Sequence, residues 1–281
     1  MLSDFFRAEK ITSWAFLPFS VCRVTDEGLM GRLFPGVRPQ AAAVFLIPYD
    51  TGKSEPQRNI SRYAVPRDYH RYIRALGQRA ASKLPCFLSA LSDHSPIDER
   101  DLALRAGLGV RGENGLVISP RYGSYCFIGA FFFSEPIEPY SPLCEAQSCP
   151  GCGACRLACP TGCLSNIGRE MCLSALSQKK RAEKRELDLL RENGVIWGCD
   201  RCQEVCPLNR DIEPTPIGFF LEERLPRLDL ARLDGMIASG KFSARAYSWR
   251  GEETVRRNLL LSCGGEKRKM KKTKSDSEKN A

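Results

Sequence analysis

Eight cysteines carry the plainest chemistry in this chain. Cys149, Cys152, Cys155 and Cys159 form a C-x2-C-x2-C-x3-C run closed by Pro160, and Cys199, Cys202 and Cys206 repeat its ending before Pro207. Three thiolates at that spacing wrap three corners of a [4Fe–4S] cube, and the cysteine before the proline serves a second cube. The second run is one cysteine short on its left, and Cys172 supplies it. One cluster then takes Cys149, Cys152, Cys155 and Cys206. The other takes Cys172, Cys199, Cys202 and Cys159. Zinc also accepts C-x2-C pairs, but it requires neither the third closely spaced cysteine nor a Cys-Pro ending used twice. Two clusters make an electron path. Clusters pass electrons singly, so the substrate chemistry needs another centre.

The composition supports metal rather than disulfides. Ten of the 14 cysteines in these 281 residues fall between Cys144 and Cys206. No basic start followed by an apolar block marks a secretory leader, and no apolar run approaches the length of a membrane span. A cytoplasmic location with reduced thiols is expected, with no membrane partner. Cys86 and Cys126 read as packed core thiols in apolar strands; Cys22, Cys144, Cys163 and Cys263 receive no role. The formal charge of +9 includes a lysine-rich tail after Cys263, which leaves a mildly basic body compatible with an RNA partner.

The elements that must position these residues follow from periodicity. Gln40–Ile47 reads as a buried strand stopped by Pro48, and Cys86–Leu91 as a second. Pro66–Leu84 reads as a helix with Tyr69, Ile73, Leu76 and Ala80 on one face. Ile97–Ala106 reads as another, with Ser95 as its cap and Gly107 as its stop. Gly115–Ser119 and Cys126–Phe133 complete the strands, with their pairing direction open. A charged helix is expected over Ser177–Glu192, and residues 217–262 look helical. The fold class is α+β: an α/β domain over 1–138, a two-cluster domain over 139–215, a helical segment over 216–262 and a basic, disordered tail over 263–281. Gly107-Leu-Gly109-Val-Arg-Gly112 matches G-x-G-x-x-G by letters only. A helix precedes it and a strand follows, the reverse of a dinucleotide site, and no acid lies about 20 residues on.

Several segments, in order, resemble the epoxyqueuosine reductase family. They are Ile60-Ser-Arg-Tyr-Ala64 with Asp68-Tyr69-His70, Ser92-Asp93-His94-Ser95-Pro96 running into Glu99-Arg100, and Ala106-Gly-Leu-Gly109. Gly112-x-Asn114, Gly123-Ser124, the Cys149–Pro160 run with Thr161-Gly162, and Gly198-Cys-Asp-x-Cys-Gln-x-Val-Cys-Pro-x-Asn209 continue the match. The resemblance implies a reductive dehalogenase-like, cobalamin-binding core with a ferredoxin-like insert. It implies two [4Fe–4S] clusters, cobalamin, tRNA as partner, an external donor such as flavodoxin or ferredoxin, and a monomer. By motif it assigns proton donation to Asp93 and cofactor or phosphate contacts to Arg100, Gly109, Gly112, Asn114, Tyr63 and His70. Without the resemblance, Asp93 reads as an Asx turn or helix cap before Pro96, and the helical spacing of Tyr69 favours packing. No Asp-x-His-x-x-Gly pattern is present, so a bound cobalamin is expected with its lower base off the metal. Val110, Glu113 and Gly115 depart from the family's Trp, Lys and Thr, and Glu113 reverses a charge. The chain is read as a short form without the family's C-terminal HEAT-like repeats. Two rival readings share the residues: a corrinoid-dependent reductase of a small molecule, and a non-catalytic electron carrier.

Overall fold

A computed structural model describes residues 1–262 of the chain. Residues 263–281, including the expected tail and Cys263, lie outside the described residues. The chain divides into two compact units, each assembled from separate stretches. Unit 1 comprises Met1–Lys53, Tyr69–Gly153 and Val205–Glu222; unit 2 comprises Ser54–Asp68, Ala154–Glu204 and the described residues from Glu223 onward. The four consecutive segments expected from composition are therefore interleaved. Contacts divide the cysteine-rich stretch after Gly153 and again after Glu204, whereas its composition is continuous.

Unit 1 is built on an antiparallel sheet of β1 (Trp14–Pro18), β2 (Ala41–Pro48), β6 (Cys126–Phe133) and β3 (Phe87–Leu91), in that spatial order. The sheet is covered on both faces, so β2 is buried at every residue and reads as a continuous apolar run. The alternation of strand side chains sorts the core into two layers. On one face Phe131 packs against Phe5 and Phe6 of α1 (Leu2–Ala8), and against Phe45 and Phe87. On the other, Val44, Ala130 and Phe132 join a core with Met30 of α2 (Glu27–Leu33) and Leu102, Ala103 and Leu104 of α4 (Glu99–Arg105). Gly129 faces Phe45 across the ladder, and a Cβ there would overlap the ring. The helix α3 (Tyr69–Lys83) packs on β3 through Gly77, whose added Cβ would lie 2.9 Å from Ala90 Cβ. Short β4 (Val110–Arg111) and β5 (Val117–Ile118) form a separate hairpin. The G-x-G-x-x-G letters lie between α4 and β5, helix first, as the rejection of a dinucleotide site requires.

Several boundaries differ from the periodic reading for identifiable reasons. The helix α4 is capped by Asp98, whose Oδ1 accepts the Asp101 N–H at 3.0 Å, and not by Ser95. Pro96 and Ile97 are held extended: the Pro96 carbonyl accepts the Thr25 N–H at 2.8 Å, and Ile97 bridges Val24. Residues 66–68 stay outside α3 because the Asp68 N–H donates to Ala244 O at 2.8 Å and Arg67 bridges Arg245. Cys86 precedes β3 with φ +55°, so it sits in a turn and not within the strand. The elements α1, β1 and α2 come from residues 1–39, whose short apolar stretches carry too few periods to read.

Unit 2 packs Ile60, Ala64, Val65, Ile196, Trp197, Leu228, Leu233, Met236, Tyr247, Val255 and Leu259 into one core. Its helices are α5 (Ala154–Leu157), α6 (Leu173–Ser177), α7 (Lys184–Asn193), α8 (Arg201–Glu204), α9 (Leu230–Ala238) and α10 (252–262). The single charged helix expected from Ser177 breaks because Ser177 is engaged elsewhere. Its carbonyl accepts from Asn258 Nδ2 at 2.8 Å, and its hydroxyl accepts the Gly198 N–H at 3.0 Å. The stretch 217–262 is a set of short helices, because buried Arg245 spends its guanidinium on the Val65 and Glu223 carbonyls. Among the described residues no helix is long and apolar enough to cross a membrane.

Candidate redox and proton-donor site

The cysteine loops are fixed by ordinary backbone chemistry. In unit 1 the segment carrying Cys149 runs alongside β4: the Arg111 N–H donates to Gln147 O at 2.8 Å, and the Cys149 N–H to Arg111 O at 2.9 Å. Glu113, the charge-reversing departure, accepts the Gly153 N–H at 3.2 Å and so holds the loop beside Cys152. Asn209, three residues after Cys206, accepts the Ser124 N–H at 2.7 Å and donates to the Ser124 hydroxyl at 2.9 Å. Gly123 leaves room for this contact, since a Cβ there would overlap Asn209.

In unit 2 five of the eight thiols converge. Burial first, and then the neighbouring Cys199, Cys172, Cys155 and Cys159, push the Cys202 thiol up to about 12. A group of thiols that raise one another's cost of ionisation is the donor set that a bound cation relieves. Among the described residues no three His, Cys, Asp or Glu side chains gather as they would around one ion. A cube of four irons spaces its thiolates more widely than a single ion does, and the residues present fit such a group. Cys163, to which the sequence assigns no role, is buried with its sulfur 3.5 Å from Cys159 Sγ.

The Asp93 loop lies in unit 1, directly after β3. Asp93 is exposed and has φ +63°, a left-handed conformation that costs a non-glycine residue energy and must be held. Two contacts hold it. The Tyr69 hydroxyl donates to Asp93 Oδ2, and the Asp93 N–H donates to Glu99 Oε2 at 2.9 Å. Tyr69 is buried, as its helical spacing suggests, and stacks on Phe127 with ring centres 3.8 Å apart. Its hydroxyl nevertheless reaches the functional loop, which periodicity does not reveal. Asp93 caps no helix, since Asp98 does that work.

Glu99 was legible only as a first-turn acid. Its spacing from Leu102 and Ala103, three and four residues on, is the signal that it faces the core. It is 9% exposed, and its Oε1 is buried without a hydrogen-bond partner. Burial, opposed by the Asp93 N–H, raises its carboxyl to about 8. The linkage has a definite sign. The folded chain keeps this proton where the unfolded chain has released it, so stability is lost as pH rises from the usual carboxylate range towards 8. Glu99→Gln therefore stabilises the protein increasingly above about pH 5, by a few kcal/mol at pH 8. Denaturant melts of both proteins at pH 5 and pH 8 check this; an equal difference at the two values would disprove it.

The remaining assigned residues each have contacts within their own unit. Arg100 is exposed, with Nη1 3.4 Å from Gly115 O in the β4–β5 turn. His70 packs its ring 4.1 Å from the Tyr69 ring centre. Tyr63 belongs to unit 2, where its hydroxyl accepts Trp197 Nε1–H at 2.8 Å. Gly109 and Gly112 are small because of their own chain: a Cβ on the first would lie 2.5 Å from Ile118 O, and on the second would overlap Asn114. Asn114 is buried, and its Oδ1 accepts the Leu116 N–H at 3.2 Å. These contacts explain the hairpin without a ligand, so they provide no observation that fits these three residues to cobalamin.

Comparison with known proteins agrees with this architecture. Residues 148–209 match the 4Fe-4S double cluster binding domain. The chain is 35% identical over 213 residues to the epoxyqueuosine reductase of Staphylococcus aureus, covering 72% of this chain and 55% of that protein. It is 38% identical over 184 residues to the Pseudomonas aeruginosa enzyme, covering 62% and 50%. The Lactococcus garvieae enzyme is 34% identical over 231 residues, covering 75% and 63%. The chain thus spans from about half to just under two thirds of these relatives' length. The fold matches the solved epoxyqueuosine reductase of Streptococcus thermophilus with a TM-score of 0.72 at 24% identity, covering 94% of this chain and 80% of that one. It also matches an epoxyqueuosine reductase solved with a tRNA-Tyr epoxyqueuosine-modified stem loop, at TM-score 0.70 and 24% identity, covering 93% and 79%. The chain is thus similar to epoxyqueuosine reductases in sequence, carries a double-cluster segment, and shares the fold of the solved members.

Proposed function

We propose that this chain reduces epoxyqueuosine to queuosine in tRNA, with two [4Fe–4S] clusters, cobalamin and an external one-electron donor of the flavodoxin or ferredoxin type. The observation that supports this best is the similarity to curated reductases, 35% over 213 residues in the first of them, joined to the double-cluster segment in the same chain. Removing an epoxide oxygen as water and leaving a carbon–carbon double bond consumes two electrons and two protons. The metal groups supply the electrons when bound. The protein's own part is to hold the substrate and deliver protons.

Asp93 is the proposed proton donor to the departing oxygen. An epoxide oxygen leaves poorly as an alkoxide, and a positioned acid within hydrogen-bond reach lowers that barrier. Asp93 is exposed at a strand end, where a bound nucleotide can cover it. The Tyr69 hydroxyl fixes which way Asp93 Oδ2 points. We assign Arg100 and His70 to nucleotide or cofactor contacts. Tyr63 is assigned with them, and its hydroxyl oxygen accepts Trp197 Nε1–H.

The proposed ligand sets are crossed. Cys149, Cys152, Cys155 and Cys206 hold one cluster, and Cys159, Cys172, Cys199 and Cys202 hold the other. Cys206→Ser should remove or alter the first cluster and leave the second, as read by Mössbauer or EPR spectra of anaerobically reconstituted protein. Damage confined to the other cluster would refute the assignment. The activity is tested by anaerobic assay on epoxyqueuosine-containing tRNA, with and without added cobalamin. Formation of queuosine only with cobalamin supports the whole reading. A reconstituted two-cluster protein that forms no queuosine in either arm overturns it.

A further inference from the structure

We propose that the buried Arg58–Asp200 pair sets the reduction potential of the cluster held by Cys199 and Cys202. Asp200 is a positioning residue for that cluster's loop. The inference rests on the reading of Cys159, Cys172, Cys199 and Cys202 as one ligand set, and on nothing about the substrate.

Asp200 stands between the two cysteines of the second run and is 5% exposed. Its Oδ1 accepts the Ser61 hydroxyl proton, and its Oδ2 accepts the Arg62 N–H at 2.8 Å and Arg58 Nη1–H at 2.6 Å. Its backbone carbonyl accepts the Gln203 and Glu204 N–H groups, each at 2.8 Å, which starts the helix that carries Cys202. One residue thus ties the cluster loop to the 58–62 segment and opens α8. All its partners belong to unit 2. Three donors, one of them a guanidinium, converge on its two oxygens, the arrangement of a charge-assisted pair.

Anchoring alone does not require charge. A buried ion pair is often no more stabilising than well-packed apolar residues of the same volume. Charge does matter to a neighbouring cluster. Reduction adds one negative charge, and nearby charges in a poorly screened interior shift its cost. Two neighbouring charged side chains have polar partners of their own. Arg58 Nη2 pairs with Glu204 Oε1 at 2.5 Å, and Arg201 is turned to Asn193 Oδ1 at 2.6 Å. The Asp200 carboxylate therefore opposes reduction, and the Arg58 guanidinium offsets it.

The two partners must then move the potential in opposite directions, which a purely structural role does not produce. The test is an EPR-monitored redox titration of the anaerobically reconstituted full chain, together with iron content. Asp200→Asn is expected to shift one of the two reduction waves to more positive potential. Arg58→Gln should shift the same wave to more negative potential. Arg58→Lys keeps the charge and should leave the wave near its wild-type position, as should the double variant Arg58→Gln/Asp200→Asn. If Asp200→Asn fails to assemble its clusters, the Arg58→Gln and Arg58→Lys pair decides. Same-sign shifts, equal movement of both waves, or a wave for Arg58→Gln no lower than that for Arg58→Lys would overturn the inference while leaving the two clusters in place. Zinc in place of iron would instead overturn the ligand reading beneath it.

Discussion

Asp93→Asn retains both clusters and loses about 100-fold or more of kcat on epoxyqueuosine-containing tRNA, the range over which a positioned general acid acts. The substitution preserves shape and the backbone contact to Glu99, so the fold has little reason to change. It also preserves an acceptor for the Tyr69 hydroxyl, which now meets Asp93 Oδ2. What is lost is the proton that can be given away. An unchanged KM with reduced kcat is expected, because the interaction counts chiefly in the transition state. Wild-type turnover by Asp93→Asn would remove Asp93 from the reaction. Tyr69→Phe provides the companion measurement. It keeps the ring stacked on Phe127 and deletes only the hydroxyl, so it should cost less than Asp93→Asn while reading out the same step.

Trp197→Ala has the largest expected effect on stability, a loss of about 3–5 kcal/mol by chemical denaturation. Trp197 is fully buried, stacks edge-on against Tyr247, and donates its indole N–H to Tyr63 at 2.8 Å. Its carbonyl accepts the Ser61 N–H at 2.8 Å. Truncation leaves a large cavity in the core of unit 2 and leaves the Tyr63 hydroxyl without that donor. The cavity adjoins Gly198, where a Cβ would overlap Ser61, so the start of the cluster loop has no slack to take up. Cluster assembly should fall with stability. Trp197→Phe fills most of the space, and should recover more than half of the loss. A Trp197→Ala protein as stable as wild type would show that this core does not hold the loop.

Much of this architecture is legible in the residues. The strand β6 runs from Cys126 to Phe133, the stretch that the apolar run marks, and β2 is displaced by a single residue from its periodic reading. These strands are long, apolar and bounded by turn residues, so local pattern and tertiary burial agree. The same holds for α3, which starts at Tyr69, three residues after the expected Pro66, because its first turn is spent on an extended bridge near Arg245. Pattern fails where a distant side chain takes the backbone's hydrogen bonds. Ser177 and Asn258 break the charged helix, and Arg245 with the Val65 and Glu223 carbonyls breaks the C-terminal one.

The cysteine spacing by itself determined the metal chemistry, because a cube dictates the intervals of the loop that wraps it. The order of motifs carried the resemblance to epoxyqueuosine reductases. Only the tertiary structure decided that the chain folds as interleaved units, that Tyr69 and Glu99 converge on Asp93, and that Asp200 is held by Arg58, Ser61 and Arg62. Those partners are separated by 24, 6 and about 140 residues of chain. Long-range contacts of this kind follow from how whole elements pack, and no local spacing records them.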